Sequence, residues 1–130
     1  MTKPNSPFDL SAKTALVTGA GKGIGRACAL LLADAGAQVI CVARTRADLE
    51  ALQAERPGQI DIWCEDVTAG DFLKKIEALE TLDILVNNVG TNKPLPFIDV
   101  DDDTLDLMLN VNVRSAFRVA QAAARVMLRQ

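Results

Sequence analysis

The stretch Thr18-Gly19-Ala20-Gly21-Lys22-Gly23-Ile24-Gly25 joins an apolar run, Thr14–Thr18, to a segment with helical spacing. It therefore predicts a tight turn from a strand into a helix. Glycines let a backbone turn sharply and approach a ligand where any Cβ would collide. The first turn of the helix behind them offers unpaired N–H groups that suit a diphosphate. Read through Gly19, Gly23 and Gly25 the spacing is G-x-x-x-G-x-G, because Ile24 breaks the G-x-G-x-x-G pattern of the general dinucleotide fingerprint.

Working outward, three further runs resemble Thr14–Thr18: Gln38–Ala43, Ile60–Cys64 and Leu82–Asn87. The first, second and fourth runs are nearly continuous in apolar or β-branched residues, as strands buried on both faces of a parallel sheet are. Helical patterns separate them. Ile24, Ala27, Cys28, Leu31 and Ala35 follow i, i+3, i+4, i+7 spacing, with Arg26 and Asp34 left to the wet side and Gly36 placed as a left-handed cap. Leu49 and Leu52 predict a second helix, stopped by Pro57-Gly58, and Phe72, Leu73, Ile76 and Leu79 a third, starting after Thr68. A long fourth helix, capped at Asp103, carries Leu105, Leu109, Val113, Phe117 and Ala120 toward Gln130. Alternating strands and helices imply a parallel sheet with right-handed crossovers. The loop from Thr91 to Asp99, with Pro94 and Pro96, follows a strand's carboxyl end, where open α/β sheets place ligands.

Composition narrows the chemistry. The 130 residues suit one domain, residues 1–130, and 49% hydrophobic against 24% charged residues supports a packed core. With 14 Lys+Arg, 17 Asp+Glu and no block of five like charges, no basic face points to nucleic acid or to a membrane surface. The chain contains no His and no Tyr, which removes Ser-His-Asp hydrolysis, His-ligated metal and any tyrosine acid from its own residues, and no metal site is expected. Cys28, Cys41 and Cys64 are odd in number and lack a C-x-x-C pair, so they read as packing residues of a reduced, cytoplasmic protein. Met1 to Leu10, with Pro4, Pro7 and Asp9, lacks the apolar core of a signal peptide.

The glycine string resembles the T-G-x-x-x-G-x-G motif of the short-chain dehydrogenase/reductase family. Three other places are similar to that family. Asn87-Asn88-Val89-Gly90 resembles its N-N-A-G motif, with Val89 for the usual Ala; Asp66-Val67 follows the third strand; and Asn112 matches the asparagine of its active-site tetrad. Asn87 to Asn92 is also similar to the N-N-V-G-T-N of tropinone-reductase-like members. The resemblance implies a Rossmann-type sheet in the order 3-2-1-4 with helices on both faces. It further implies that Thr18, Gly19, Gly21, Lys22, Gly23, Ile24 and Gly25 hold the cofactor, that Asp66 and Val67 meet its adenine, and that Asn88, Val89 and Gly90 line its nicotinamide-ribose end. Asn112 would hold a water that relays protons to a catalytic lysine. Each position also has a plainer reading: Asn87 and Asn88 tolerate turn geometry, and Asp66 can simply start a turn.

Charge bears on which dinucleotide binds. The second strand ends Ala43-Arg44-Thr45, with no acidic residue for a pair of ribose hydroxyls. Arg44 can fork onto a 2′-phosphate, Thr45 adds a hydroxyl and Lys22 a second cation, so NADP(H) is favoured over NAD(H). Arg44 and Arg46 also fit a solvated helix start. Members of the family complete their tetrad with a serine and a Tyr-x-x-x-Lys pair, and neither occurs here. The expectation is the cofactor-binding half of an oxidoreductase acting on a carbonyl or alcohol, truncated before the fifth strand and inactive alone. The alternative is a non-catalytic nucleotide-binding or interaction module. With the fourth strand at an edge and an apolar helix stripe uncovered, a homo-oligomer is expected.

Overall fold

The computed structural model describes residues 6–130, so Pro4 lies outside the described residues. Strands β1 (Thr14–Thr18), β2 (Gln38–Ala43), β3 (Ile60–Cys64) and β4 (Ile84–Val86) form one parallel sheet in the order β3-β2-β1-β4. This is the expected order. The fourth strand is shorter than the apolar run that encodes it. Leu82 is buried, yet its backbone N–H and carbonyl are taken by the side-chain amide of Gln130, at 3.0 and 2.8 Å.

Because side chains alternate across a strand, each strand feeds both faces. Ala15, Val17, Val39 and Cys41 pack beneath α1 (Gly23–Asp34) and α2 (Arg46–Glu55). Leu16, Ile40 and Val42 pack on the opposite face with Phe72 and Ile76 of α3 (Gly70–Glu77) and with a long C-terminal helix. The result is a three-layer α/β/α sandwich. Burial pushes the Cys41 thiol up to about 12, with Asp61 contributing, so this cysteine is an inert packing group.

The face of α1 differs from the one its large apolar residues predict. Ile24 and Leu31 are 75% and 69% exposed, and the helix buries Gly25, Ala29 and Ala33. A stripe of small residues lets the helix backbone lie close on the sheet, and that close approach takes precedence over burying larger side chains. Gly36, at φ +106°, ends the helix as expected, with its N–H on the Ala33 carbonyl and that of Ala37 on Leu32. Arg26 and Asp34 face outward but are not merely solvated. They tie α1 to α2 through Glu55 (2.8 Å) and Arg56 (2.6 Å).

The fourth predicted helix begins earlier than Asp103. Asp101 is its cap, accepting the Thr104 N–H at 3.0 Å. The rod comprises α4 (Asp102–Leu109), a π-helical turn (Asn110–Arg114) and α5 (Ser115–Arg129). Its C-terminal part buries Ser115, Val119, Ala122, Ala123 and Val126, and Arg125 pairs with Glu77 of α3 at 2.6 Å. The stripe of Leu105, Leu109, Val113 and Phe117 faces outward instead.

Candidate functional site

A cavity of about 690 Å³ opens at the carboxyl ends of the strands. Its floor and rim come from the turn after β1 (Gly19, Gly21, Lys22), the end of β2 (Val42 to Thr45), the turn after β3 (Glu65 to Thr68) and the turn after β4 (Asn88 to Thr91). Parallel strands bring four loops together at one end of the sheet, although they are far apart in sequence.

The glycine turn is fastened to the turn after β4. Thr18 is fully buried, and its hydroxyl accepts the Asn88 N–H at 2.9 Å while donating to the Val86 carbonyl at 3.5 Å. The Asn88 side chain donates to the Gly19 carbonyl at 3.3 Å. Gly19 sits at φ +61°, and a Cβ there would lie 3.2 Å from both the Asn88 amide nitrogen and its carbonyl oxygen. The turn thus presents bare backbone to the cavity. Thr18 and Gly25 support it from behind, Gly23 opens α1, and Ile24 is exposed and does not line the cavity.

Lys22, Arg44 and Thr45 line the same cavity. Thr45 is the N-cap of α2, yet its hydroxyl makes no capping bond, so it is available to a ligand beside the helix N-terminus. Asp66 lies beside them, with Oδ1 accepting the Thr68 N–H (2.9 Å) and hydroxyl (2.7 Å). These two bonds, helped by Arg44, hold its carboxyl below the usual carboxylate range, so it is ionised at neutral pH. Val67 is buried beside it, and Val89 packs on the second core.

Several lining residues lie outside the motifs read from the sequence: Asp48, Glu65, Leu107, Asn110 and Val111. Of these only Asp48 carried a signal, since a carboxylate three residues after Thr45 is the spacing of a helix first turn.

Asn112 lies in the π turn and is solvent-exposed on one side. Its side chain nonetheless turns toward the loop after β4. Oδ1 accepts the Thr91 N–H at 2.7 Å and the amide donates to the Thr91 carbonyl at 2.8 Å, and a Cβ on Gly90 would meet Oδ1 at 3.4 Å. Asn112 therefore holds the start of the loop Thr91 to Asp99, and does not itself line the cavity. Asn112→Ala is expected to speed exchange of the Thr91 amide and to cost about 1–2 kcal/mol of stability, measured by hydrogen exchange and denaturant melting; an unchanged Thr91 exchange rate would show that the two bonds do not form in solution.

Residues 13–130 match the family profile described as short chain dehydrogenase. The chain belongs to the short-chain dehydrogenase family. It is 41% identical over 120 residues to L-xylulose reductase from Mesocricetus auratus, covering 92% of this chain and 49% of that protein. It is 43% identical over 124 residues to carbonyl reductase (NADPH) 2 from Sus scrofa, covering 93% and 50%. Among solved structures, one described as an NAD(P) dependent gluconate 5-dehydrogenase from Beutenbergia cavernae, with bound NADP at low occupancy, superposes with a TM-score of 0.86 at 31% identity, over 95% of this chain and 52% of that one. The chain thus spans about half the length of the curated relatives it matches. Within this short-chain dehydrogenase, no helix among the described residues is long and apolar enough to cross a membrane.

Proposed function

We propose that this chain binds NADP(H) in the cavity over the glycine turn and forms the cofactor-binding part of an oxidoreductase acting on a small-molecule carbonyl or alcohol. The observation that carries the reading is the bare backbone at Gly19, where a Cβ would press on Asn88, opposite the cluster of Lys22, Arg44 and Thr45 in one cavity. The dinucleotide, when bound, supplies or accepts the hydride. Gly19 and Gly21 give its diphosphate room, and the N-terminus of α1 adds favourable N–H groups. Asp66 and Val67 meet the adenine, Arg44, Thr45 and Lys22 take the 2′-phosphate, and Asn88, Val89 and Gly90 border the nicotinamide ribose. Asn112 positions the adjoining loop. The relatives' names, reductases among them, support the same reaction class. Fluorescence titration tests the reading: NADPH binds more tightly than NADH, and the opposite order ends the NADP(H) assignment.

The chain has no tyrosine and no histidine, so the tyrosine that the family resemblance implies as the acid for a carbonyl oxygen is not among its residues. The 130-residue chain is therefore expected to bind cofactor without turnover. NADPH oxidation by the pure chain across a panel of carbonyl compounds would overturn that expectation.

A second reading, an interaction module, draws on the apolar stripe Leu105, Leu109, Val113 and Phe117, which faces outward, as does one edge of β4 in the sheet order. Such a surface favours self-association, so sedimentation is expected to find a homo-oligomer, and a stable monomer would argue against it. The unpaired Cys28, Cys41 and Cys64 support a reduced, cytoplasmic setting.

A further inference from the structure

Among the described residues, three carboxylates, Asp48, Glu65 and Asp66, share the cavity with two cations, Lys22 and Arg44. Two of the three are accounted for. Glu65 has its own partner outside the cavity rim, Lys75 at 3.4 Å, and Asp66 is engaged by Thr68. Asp48 has Lys22, at 3.8 Å, which is long for an ion pair.

The two members of that pair are held very differently. The Asp48 side chain is 28% exposed and lies against the glycine turn, close enough that a Cβ on Gly21 would be 3.2 Å from its Cβ and 3.5 Å from Oδ2. The Lys22 side chain is 82% exposed. A long lysine in solvent keeps its rotamer freedom and gains little from a surface pair. The carboxylate is therefore the fixed charge at this end of the cavity and the ammonium the movable one.

Resting on the NADP(H) reading above, we propose that Asp48 is a specificity-determining residue that limits the preference for a 2′-phosphate. It does so in two ways. In the free protein its carboxylate attracts Lys22 toward the wall of the glycine turn, so Lys22 must exchange partners when a phosphate arrives. Once a phosphate is bound near Arg44 and Thr45, the Asp48 carboxylate adds a repulsion that an uncharged ribose hydroxyl does not feel. The site consequently discriminates less between the two dinucleotides than its Arg-Thr-Lys cluster alone implies.

The test uses ligands that carry only the adenosine end, so it does not depend on the nicotinamide or on turnover. Adenosine 2′,5′-bisphosphate and 5′-AMP are titrated into the unaltered chain and into Asp48→Asn by calorimetry at low and high salt. Removing one unit charge a few ångströms from the phosphate in a solvated site is expected to tighten the bisphosphate about fivefold and to change 5′-AMP less than about twofold, the difference shrinking as salt rises. Asp48→Ser, which keeps a hydroxyl in the first turn of α2, is expected to do the same and covers the case in which the asparagine variant folds poorly. An unaltered chain that holds 5′-AMP as tightly as the bisphosphate removes the NADP(H) reading and this inference with it. A bisphosphate preference that the folded variants leave unchanged or weaken overturns the role of Asp48 alone.

Discussion

Gly25→Val is expected to destabilise the chain by about 3 kcal/mol or more and to abolish dinucleotide binding, because the site has no slack to absorb a side chain. A Cβ at Gly25 would collide with the carbonyl oxygen of Gly19 and lie 2.6 Å from the side-chain nitrogen of Asn88. Neither obstacle is the free end of a flexible chain. The first is backbone, and the second is held in place by its bond to that same carbonyl. Relief would require α1 to lift from the sheet, uncovering the contacts of Ala29 and Ala33 in the first core, or the turn to detach from Asn88. Both routes deform the cradle as well as the core, so stability and binding fall together. Gly70→Ala is the matching control. It opens α3, and a Cβ there meets nothing within 4 Å, so the gain in helix propensity leaves it neutral or slightly stabilising. Urea midpoints for the two variants decide the matter, and a Gly25→Val midpoint equal to the wild type would show that the helix does not sit this close in solution.

Arg44→Asp is expected to reverse cofactor preference, weakening NADP(H) and improving NAD(H), with a swing on the order of 1–3 kcal/mol, or roughly fivefold to more than a hundredfold. Two effects act in the same direction. A guanidinium able to fork onto a phosphate is lost, and a carboxylate is introduced that repels the phosphate and accepts bonds from ribose hydroxyls. The change also removes the cation that helps hold the Asp66 carboxyl low, so that group's pKa rises in the variant. Parallel titrations of NADPH and NADH measure the swing, and an unaltered order of affinity would place the 2′ position away from Arg44.

The strands and the glycine turn that lines the cavity were legible in the residues for a physical reason, while the sheet order followed from the family resemblance. Strands buried on both faces must be apolar along their length, and the runs at Thr14 and Gln38 announce themselves with matching boundaries; the run at Ile60 matches too, although Asp61 breaks it and it is only partly buried. A turn with four glycines between a strand and a helix has few other uses. Caps were less legible. Asp101, Asp102 and Asp103 are interchangeable by residue type, and only the helix path selects the one whose carboxylate reaches the Thr104 N–H.

Tertiary structure alone decided which face α1 and the C-terminal rod bury, whereas Leu49 and Leu52 of α2 and Phe72 and Ile76 of α3 were legible from their spacing. Periodicity assigns the largest apolar residues of α1 to the core, but the constraint on that helix is distance, and distance is met by Gly25, Ala29 and Ala33 while Ile24 and Leu31 stay outside. The same holds for pairings across long separations. Asn112, within the π turn, grips Thr91 across 21 residues of sequence, a pairing that local spacing does not specify. Asp48 meets Lys22 only because the sheet sets the end of β2 beside the turn after β1. Composition and spacing specify which groups are available; the register of the sheet determines which of them share a cavity, since the parallel strands deliver four separate loops to one end.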